Sequence, residues 1–254
     1  MSDIFDLAAR NLADTYLALG SQVLGARPLS GHRLQGITSA FSHVMGNFAI
    51  GVASDRTSAF EAWRLSGDNP VFHVYVPTRD DGGADAAYTL QGFQRVYRQA
   101  QMVFRGSVPT ESPARLCVLP CDSRLDRETI ADFVARQFFA NASPVVRDEI
   151  GRVVARASNL QLYGAWPMLD RKTHRNLVGA YSLSVGDAVG IYNFCVESGL
   201  RGQGKGSEML RMLIKAAPPG KPIVLQCDPS LVGWYERSNF EVFGWLDVYA
   251  RSRP

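Results

Sequence analysis

The stretch CVESGLRGQGKG, Cys195–Gly206, decides how the rest of this sequence is interpreted. It follows an apolar run and precedes residues 207–217, where apolar residues recur at helical spacing. The order predicts a strand, a glycine-rich loop and a helix. Glycines 202, 204 and 206 let the backbone approach an anion without interference from Cβ atoms, and Arg201 and Lys205 add positive charge. The pattern favours a phosphate or pyrophosphate site, with a glycine-rich turn that binds nothing as the alternative.

The composition is that of a folded protein with one large or two ordinary domains. The chain has 254 residues, 46% of them apolar, and a formal net charge of +3. No basic run or aromatic-basic stripe is present, so we expect no nucleic-acid partner. No run reaches the ~18 apolar residues of a membrane span. Residues 1–6 include Asp3 and Asp6 and no basic residue, which argues against a secretory signal. We therefore expect a cytoplasmic protein without a membrane partner.

The four cysteines do not have the spacing of a metal site. Cys117 and Cys121 are four residues apart and lack a second pair of ligands nearby. We therefore expect reduced, buried thiols and no bound metal.

Two α/β modules are predicted on either side of a linker. Residues 1–106 alternate strands and helices, with Gly20–Gly36 predicted to be irregular and a last strand over Gln101–Phe104. The linker is 107–113, which contains two prolines and two serines. Residues 114–254 then predict strand, two helices, hairpin, strand, glycine loop, helix and strand, and they end in a strand pair interrupted at Gly244.

Two familiar phosphate-binding motifs fit the loop poorly. A P-loop requires serine or threonine after its lysine, whereas Gly206 follows Lys205. A dinucleotide fingerprint matches Gly202 and Gly204 but not Ser207. Asp228, at the end of the next strand, stands about where a ribose-binding acid would be. A nicotinamide-dependent oxidoreductase thus stays an alternative, weakened by the late position of the loop in the chain.

A second block gives the loop a partner. Residues 234–240 read WYERSNF, and they follow the strand and short helix that come after the glycine loop. Together with Arg201–Gly206, which matches the R-x-x-G-x-G pattern, this order resembles the GCN5-related N-acetyltransferase superfamily over 114–254. The resemblance implies an α/β (α+β) fold with a mixed, mostly antiparallel central sheet flanked by helices. In the N-terminal module, Gly46–Phe48 and Leu90–Phe93 are similar to a degenerate acetyltransferase-like half.

The resemblance also implies how coenzyme A is held. The backbone amides of residues 201–206 would bind the pyrophosphate. The backbone at the end of the preceding strand would pair with the pantetheine arm, at a point where strand splaying opens a cleft. Asp228 stands where many members have asparagine. The implied cofactor-binding residues are Phe194, Cys195, Val196, Arg201, Gly202, Gln203, Gly204, Lys205, Gly206 and Asp228.

For catalysis the resemblance implies direct acyl transfer from acetyl-CoA, or another acyl-CoA, to a primary amine. Tyr235 stands where the family often has the acid that protonates the departing thiolate, and a phenol suits that task. Packing of the short helix on the sheet is the alternative role for this tyrosine. Glu197 is the carboxylate nearest the cleft and is the candidate general base, with a solvated loop residue as the alternative. Cys195 is not expected to be a nucleophile, because no histidine accompanies it.

The expected partner is a small-molecule amine, and a homodimer is compatible with the sequence. The alternatives to an acyltransferase are a non-catalytic acyl-CoA sensor on the same fold and the oxidoreductase described above. The N-terminal module either builds the acceptor pocket or extends the structure.

Overall fold

A computed structural model describes residues 3–52, 54–79, 84–107, 115–168 and 176–251. The chain divides into two compact units, one formed by Met1–Val103 with Val224–Pro254 and the other by Phe104–Ile223. This grouping differs from the predicted boundary, because the last two strands and the last helix belong with the N-terminal half. The predicted linker lies outside the described residues from position 108 onward.

The elements alternate along the chain much as expected. The helices of the described residues are α1 (Ile4–Ser21), α2 (Arg56–Ser66), α3 (Asp85–Thr89), α4 (Arg124–Phe138), α5 (Pro144–Arg156), α6 (Lys205–Ala216) and α7 (Val232–Glu236). The strands are β1 (Arg27–Ser30), β2 (Gln35–Thr38), β3 (Phe48–Ile50), β4 (His73–Thr78), β5 (Phe93–Phe104), β6 (Leu116–Pro120), β7 (Leu160–Pro167), β8 (Gly179–Val185), β9 (Val189–Val196), β10 (Ile223–Cys227) and β11 (Phe240–Arg251).

The first unit has strands in the order β1-β2-β3-β4-β11-β5-β10. The β3–β4 pair is parallel, and β1–β2, β2–β3, β4–β11 and β5–β10 are antiparallel. Because side chains alternate along β4, the sheet has two different faces. On one face Tyr75 packs against Tyr16 of α1, with ring centroids 5.0 Å apart. On the other, Val74 joins the apolar core that contains Ala59 of α2 and Tyr88 of α3.

The terminal strand β11 is continuous, so the predicted interruption at Gly244 is wrong. A Cβ atom at that position would lie 2.7 Å from the backbone oxygen of Thr78. Glycine is therefore required for close approach of the neighbouring strand rather than for a break. Inside β11, Asp247 is fully buried and is bound by Arg98 of β5, with Nε to Oδ1 at 2.6 Å and a terminal nitrogen to Oδ2 at 2.9 Å.

Two strand predictions in the N-terminal module need correction. Gly20–Gly36 is not irregular throughout, since it contains β1 and the start of β2. Three of the four residues of β1 are exposed, so the sequence lacks apolar alternation there. Strand β5 begins at Phe93, eight residues before the predicted Gln101–Phe104. Its first half is polar because Arg98 binds Asp247 and several neighbouring side chains are exposed.

The second unit has strands in the order β9-β8-β7-β6, all antiparallel. Ser143 caps α5, and Pro144 occupies its first turn, the order that typically begins a helix. A Cβ atom at Gly164 of β7 would meet Ile130 of α4, whereas one at Gly179 of β8 would meet Met209 of α6. Gly164 pairs with Ala180, so Gly164 and Gly179 point to opposite faces. Helices α4 and α6 therefore cover the two faces of this sheet.

The fold class is confirmed: mixed α/β, with mostly antiparallel strands flanked by helices. Within the described ranges, no helix combines the length and apolar character needed to cross a bilayer.

Candidate functional site

A β-bulge distorts β9 shortly before the glycine loop. Ala180 of β8 pairs with Cys195 and Ser182 pairs with Tyr192, so β9 contains one extra residue between those pairs. Asn193 takes up the irregularity with a φ of 54°, a conformation that asparagine tolerates better than most residues. Its amide nitrogen donates to Oγ of Ser182 at 3.0 Å, and that hydroxyl donates to the backbone oxygen of Tyr192 at 3.2 Å. The bulge is thus held by specific hydrogen bonds immediately before the loop.

The glycine loop leaves the N-terminus of α6 open. Gly202 and Gly204 have φ values of 76° and 78°, and a Cβ atom at either would meet nothing within 4 Å. Gly204 is the N-cap, and no side chain accepts a hydrogen bond from the first turn. Among the described helices of eight or more residues, the others are capped by the side chains of Asp3, Asp55, Ser123 and Ser143. The first N–H groups of α6 are therefore available to an external acceptor.

Gln137 of α4 forms hydrogen bonds with two predicted site residues, Glu197 and Arg201. The Nε2 atom of Gln137 donates to Glu197 at 2.7 Å, and its Oε1 atom accepts from Arg201 at 3.1 Å. Arg201 also donates from Nε to the backbone oxygen of Val196 at 3.2 Å. The second carboxylate oxygen of Glu197 accepts from the hydroxyl of Ser198 at 3.0 Å. These contacts brace the loop against α4, so both charged side chains act as loop supports in this structure.

The positive charge of the loop is completed by Lys205, the first residue of α6. In the described part of the chain it has no ion-pair partner. Glu208, in the first turn of α6, accepts from the backbone nitrogens of Arg115 and Leu116 at 2.5 and 2.8 Å. That carboxylate therefore accepts the hydrogen bonds of the backbone N–H groups at the start of β6. The side chain of Gln203 donates to the backbone oxygen of Gly199 at 3.2 Å, which tightens the turn.

The end of β9 is half open to solvent. Phe194 and Val196 are partly exposed, whereas Cys195 is buried between them. Burial raises the pKa of the Cys195 thiol to about 12. A hydrogen bond from the backbone of Ala180 and the nearby charge of Arg201 lower this pKa, but their effect is smaller than that of burial. The thiol is therefore neutral at physiological pH and unsuited to nucleophilic attack, in agreement with the sequence prediction.

Tyr235 and Asp228, the other predicted site residues, belong to the first unit. Tyr235 lies on α7, is 6% exposed, and packs edge-on against Phe240 with ring centroids 5.7 Å apart. Burial, and then the nearby Cys227 thiol, raises its pKa well above the ordinary value of a phenol. Asp228 caps the 3-10 helix Pro229–Leu231 and accepts from Ser230 N at 2.9 Å and Oγ at 2.6 Å. These hydrogen bonds lower the pKa of Asp228. They give its carboxylate a structural role that requires no ligand.

The structure thus brings together within one unit the predicted residues Phe194–Val196, Glu197 and Arg201–Gly206. Sequence reasoning missed Gln137, which binds both charged side chains of the loop, because nothing in a helix sequence marks such a contact. It also missed Asn193, although an asparagine near the end of an otherwise apolar strand is a usable signal for a bulge. In the described ranges no group of three or more His, Cys, Asp or Glu side chains is arranged to hold a metal ion.

Comparisons with known proteins bear on the fold. No protein-family model and no curated protein matches this sequence. Several solved structures do match this chain. A GCN5-related N-acetyltransferase from Kribbella flavida superposes with a TM-score of 0.65 at 13% identity, covering 98% of this chain and 96% of its own.

Two further structures agree. A tandem GNAT protein from the clavulanic acid biosynthesis pathway has a TM-score of 0.58 at 13% identity, covering 98% of this chain and 96% of its own. A GCN5-related N-acetyltransferase from Sphaerobacter thermophilus has a TM-score of 0.54 at 14% identity, covering 98% and 93%. At such identities the likeness concerns fold, and this chain has the fold of the GCN5-related N-acetyltransferases.

Proposed function

We propose that the protein is an acyl-CoA-dependent N-acyltransferase that moves an acyl group, in the simplest case acetyl, to a primary amine. The observation that carries the proposal is the uncapped, glycine-lined N-terminus of α6 directly after the bulged end of β9. A long helix that begins without a side-chain cap offers several N–H donors and a partial positive charge to an anion. The shared fold with GCN5-related N-acetyltransferases makes the pyrophosphate of coenzyme A the natural anion.

The loop residues fit a pyrophosphate. The backbone N–H groups of residues 201–206 would donate to its oxygens, because Gly202 and Gly204 hold the chain in a conformation that other residues rarely adopt. Lys205 would add an unshared positive charge. The side chain of Arg201 binds Gln137 and Val196, so we assign it to support of the loop. The backbone of Phe194–Val196 would pair with the pantetheine arm.

Bound acyl-CoA supplies a thioester, whose carbon–sulfur bond breaks as a carbon–nitrogen bond to the amine forms. The residues of the chain must then manage two protons, one that leaves the nitrogen and one that the sulfur needs. Tyr235 suits the second task, since burial raises its pKa and keeps the phenol protonated at all physiological pH values. Asp228 is the cap of Pro229–Leu231, so we assign its carboxylate a structural role and no contact with the cofactor.

Removal of the nitrogen proton falls to solvent in this proposal. Glu197 remains the nearest candidate carboxylate, but Gln137 and Ser198 each donate to one of its oxygens. To act as a base it would have to give up one of these hydrogen bonds. We therefore propose that Glu197 positions the loop and that the amine loses its proton to water.

A ligand screen by thermal shift tests the proposal most cheaply, because a ligand that binds the native state raises the melting temperature. We expect stabilisation by coenzyme A and acetyl-CoA and none by NADH. The matched control is pantetheine, which has the thiol arm of coenzyme A but lacks the pyrophosphate. Stabilisation by NADH alone would support the oxidoreductase instead.

An assay of thiol release against a panel of amines then separates enzyme from sensor. Release that depends on an amine supports acyl transfer. Tight coenzyme A binding with no release for any amine would indicate a non-catalytic acyl-CoA sensor.

A further inference from the structure

A cavity of about 470 Å³ lies within the first unit, between α1 and the ends of β3 and β4. This volume falls in the range of small-molecule sites, which is about 300–1,000 Å³. One side of the cavity, the helix wall, is a face of α1 that carries Asp6, Ala9, Arg10, Ala13 and Asp14. Their spacing of three and four residues places them on the same side of the helix. The two small alanines in the middle of this face leave room for a ligand.

The other side of the cavity, the strand wall, begins where the pairing of β3 with β4 stops. These strands are parallel, and Gly51 N donates to Tyr75 O at 3.2 Å as the last bond of their ladder in the described residues. The next bond would require an N–H group at position 77, but Pro77 has none. Val52 and Pro77 therefore stand just beyond the paired region, and with Ile50 they give the cavity an apolar floor.

An arginine of the strand wall is held in place through its backbone. Glu61 of α2 accepts hydrogen bonds from the backbone nitrogens of residues 32–34, including that of Arg33 at 2.9 Å. A Cβ atom at Gly51 would lie 2.5 Å from the backbone oxygen of Arg33, so the end of β3 packs directly on this turn. The guanidinium of Arg33 is half exposed and binds Asp55 through one terminal nitrogen. Because a guanidinium has five N–H donors, others remain for a ligand in the cavity.

The helix wall carries charges of both signs. Asp6 lies 3.6 Å from a guanidinium nitrogen of Arg79, whereas Asp14 is exposed and has no ion-pair partner among the described residues. The two carboxylates are eight residues apart, about 12 Å along the helix, which is too far for both to bind one metal ion. With Arg10 and Arg33, the lining contains two acidic and two basic side chains, so its net charge is zero.

We propose that this cavity binds a zwitterion, with an ammonium group and a carboxylate at the two ends of an apolar body, as in a short apolar peptide. Arg33 would bind the carboxylate, and Asp14 would bind the ammonium group. The apolar floor of the cavity would bury the side chains of the peptide. This ligand site is additional to the proposed acyl transfer and does not depend on it.

The arrangement of the charges selects this class of ligand. A lining with separated charges and no net charge suits a zwitterion better than a pure anion or a pure cation. Asp14 belongs to the helix wall and Arg33 to the strand wall, so the two charges of the ligand must lie apart. A peptide meets that requirement better than a single amino acid. A phosphate-bearing ligand fits less well, because Asp55 already caps the N-terminus of α2 beside Arg33.

Titration calorimetry of the full chain with leucyl-leucine tests the proposal without any variant. N-acetyl-leucyl-leucine lacks the ammonium group and leucyl-leucine amide lacks the carboxylate, so they are the matched controls. We expect each of them to bind at least about tenfold more weakly, because each leaves one charged side chain without its partner. The proposal is overturned if leucyl-leucine does not bind, or if either blocked peptide binds with equal or higher affinity.

Variants at the two exposed charged side chains assign the two ends of the peptide. Asp14→Asn should weaken binding of leucyl-leucine about fivefold and leave binding of the N-acetyl form unchanged, since that form has no ammonium group. Arg33→Gln should weaken binding of leucyl-leucine to a similar extent and leave binding of the amide unchanged. Asp148→Asn of α5 and Arg27→Gln of β1 change exposed residues outside the cavity and are the controls. Equal losses in the controls, or losses that do not depend on which end is blocked, also overturn the proposal.

Discussion

Two strand–loop–helix connections in this chain have the same order and opposite chemistry. In the first unit β3 leads into α2, where Asp55 is the N-cap and accepts from Ser58 N at 2.8 Å and Oγ at 2.9 Å. Arg33 binds the same carboxylate. In the second unit β9 leads into α6, where the N-cap is Gly204 and no side chain binds the first turn. One helix N-terminus carries its own anion, and the other is open to a ligand.

The strands before the two loops differ in the same sense. β3 stays regularly paired with β4 to its last residue, and Gly51 N still donates to Tyr75 O at 3.2 Å. β9 has a bulge at Asn193 before its loop begins. The comparison teaches that one fold provides a structural connection when a carboxylate fills the helix terminus, and a candidate anion site when glycines leave it open.

The largest effect is expected from Gly204→Asp, which gives α6 the kind of cap that α2 has. The new carboxylate would satisfy the first N–H groups and repel a phosphate, and the backbone would have to leave its positive φ. We expect affinity for coenzyme A, measured by calorimetry, to fall about 100-fold.

Gly220→Asp is the matched control for this change. Gly220 has a φ of 79° and open space around it, as Gly204 does, but it follows the other end of α6. The strain and the added charge are therefore alike. Equal loss of affinity in both variants would contradict an anion site at the α6 N-terminus.

Tyr235→Phe sharpens the comparison by separating binding from chemistry. Coenzyme A would bind at the glycine loop as before, whereas the proposed proton donor would be lost. We expect kcat to fall about 100-fold and coenzyme A affinity to change less than about twofold. Because the pKa of Tyr235 is raised, the wild type should show no loss of rate from phenol ionisation near pH 10. Unchanged kcat in the variant would remove Tyr235 from the mechanism.

Lys205→Ala should have a smaller effect, since it removes one partly exposed charge and leaves the backbone donors in place. We expect coenzyme A affinity to fall about fivefold, with the loss shrinking at high salt. Arg211→Ala, at an exposed position farther along α6, is the control and should bind as the wild type does. A salt-independent loss would contradict an electrostatic role.

Asp55→Ala tests the capped side of the comparison and should have the smallest effect. Loss of the cap should cost about 1 kcal/mol in the free energy of unfolding, measured with urea, and leave coenzyme A affinity unchanged. The hydrogen bonds from Ser58 and the charge of Arg33 lower the pKa of Asp55. Its contribution is therefore present above an ordinary carboxyl pKa of about 4 and is lost as the pH falls through the lowered value. A change in coenzyme A affinity would show that the capped terminus is also part of a binding site.

Local signals predicted much of the fold. The helix caps Asp3 and Ser143 are residue types that favour that position, and the run before Cys195 is a strand followed by a glycine loop and a helix. The first half of β5 could not be predicted, because Arg98 is explained only by its contact with Asp247, far away in the chain. Gly244 was misinterpreted for a similar reason, since only the neighbouring strand shows why glycine is needed there.

The candidate site could be predicted where the residue type indicates the backbone conformation, as at Gly202 and Gly204. Side-chain partnerships were not predictable. The link of Glu197 to Arg201 through Gln137, and the meeting of Tyr16 with Tyr75, join elements far apart in sequence. Asp228 precedes a proline, an order typical of a helix N-cap, and it does cap Pro229–Leu231.

The stoichiometry of coenzyme A binding tests the central claim most directly. Titration calorimetry on the full chain should give one site per chain, because the α6 terminus is open and the α2 terminus is filled by Asp55. Two sites per chain, or one site that survives in Gly204→Asp, would contradict the account.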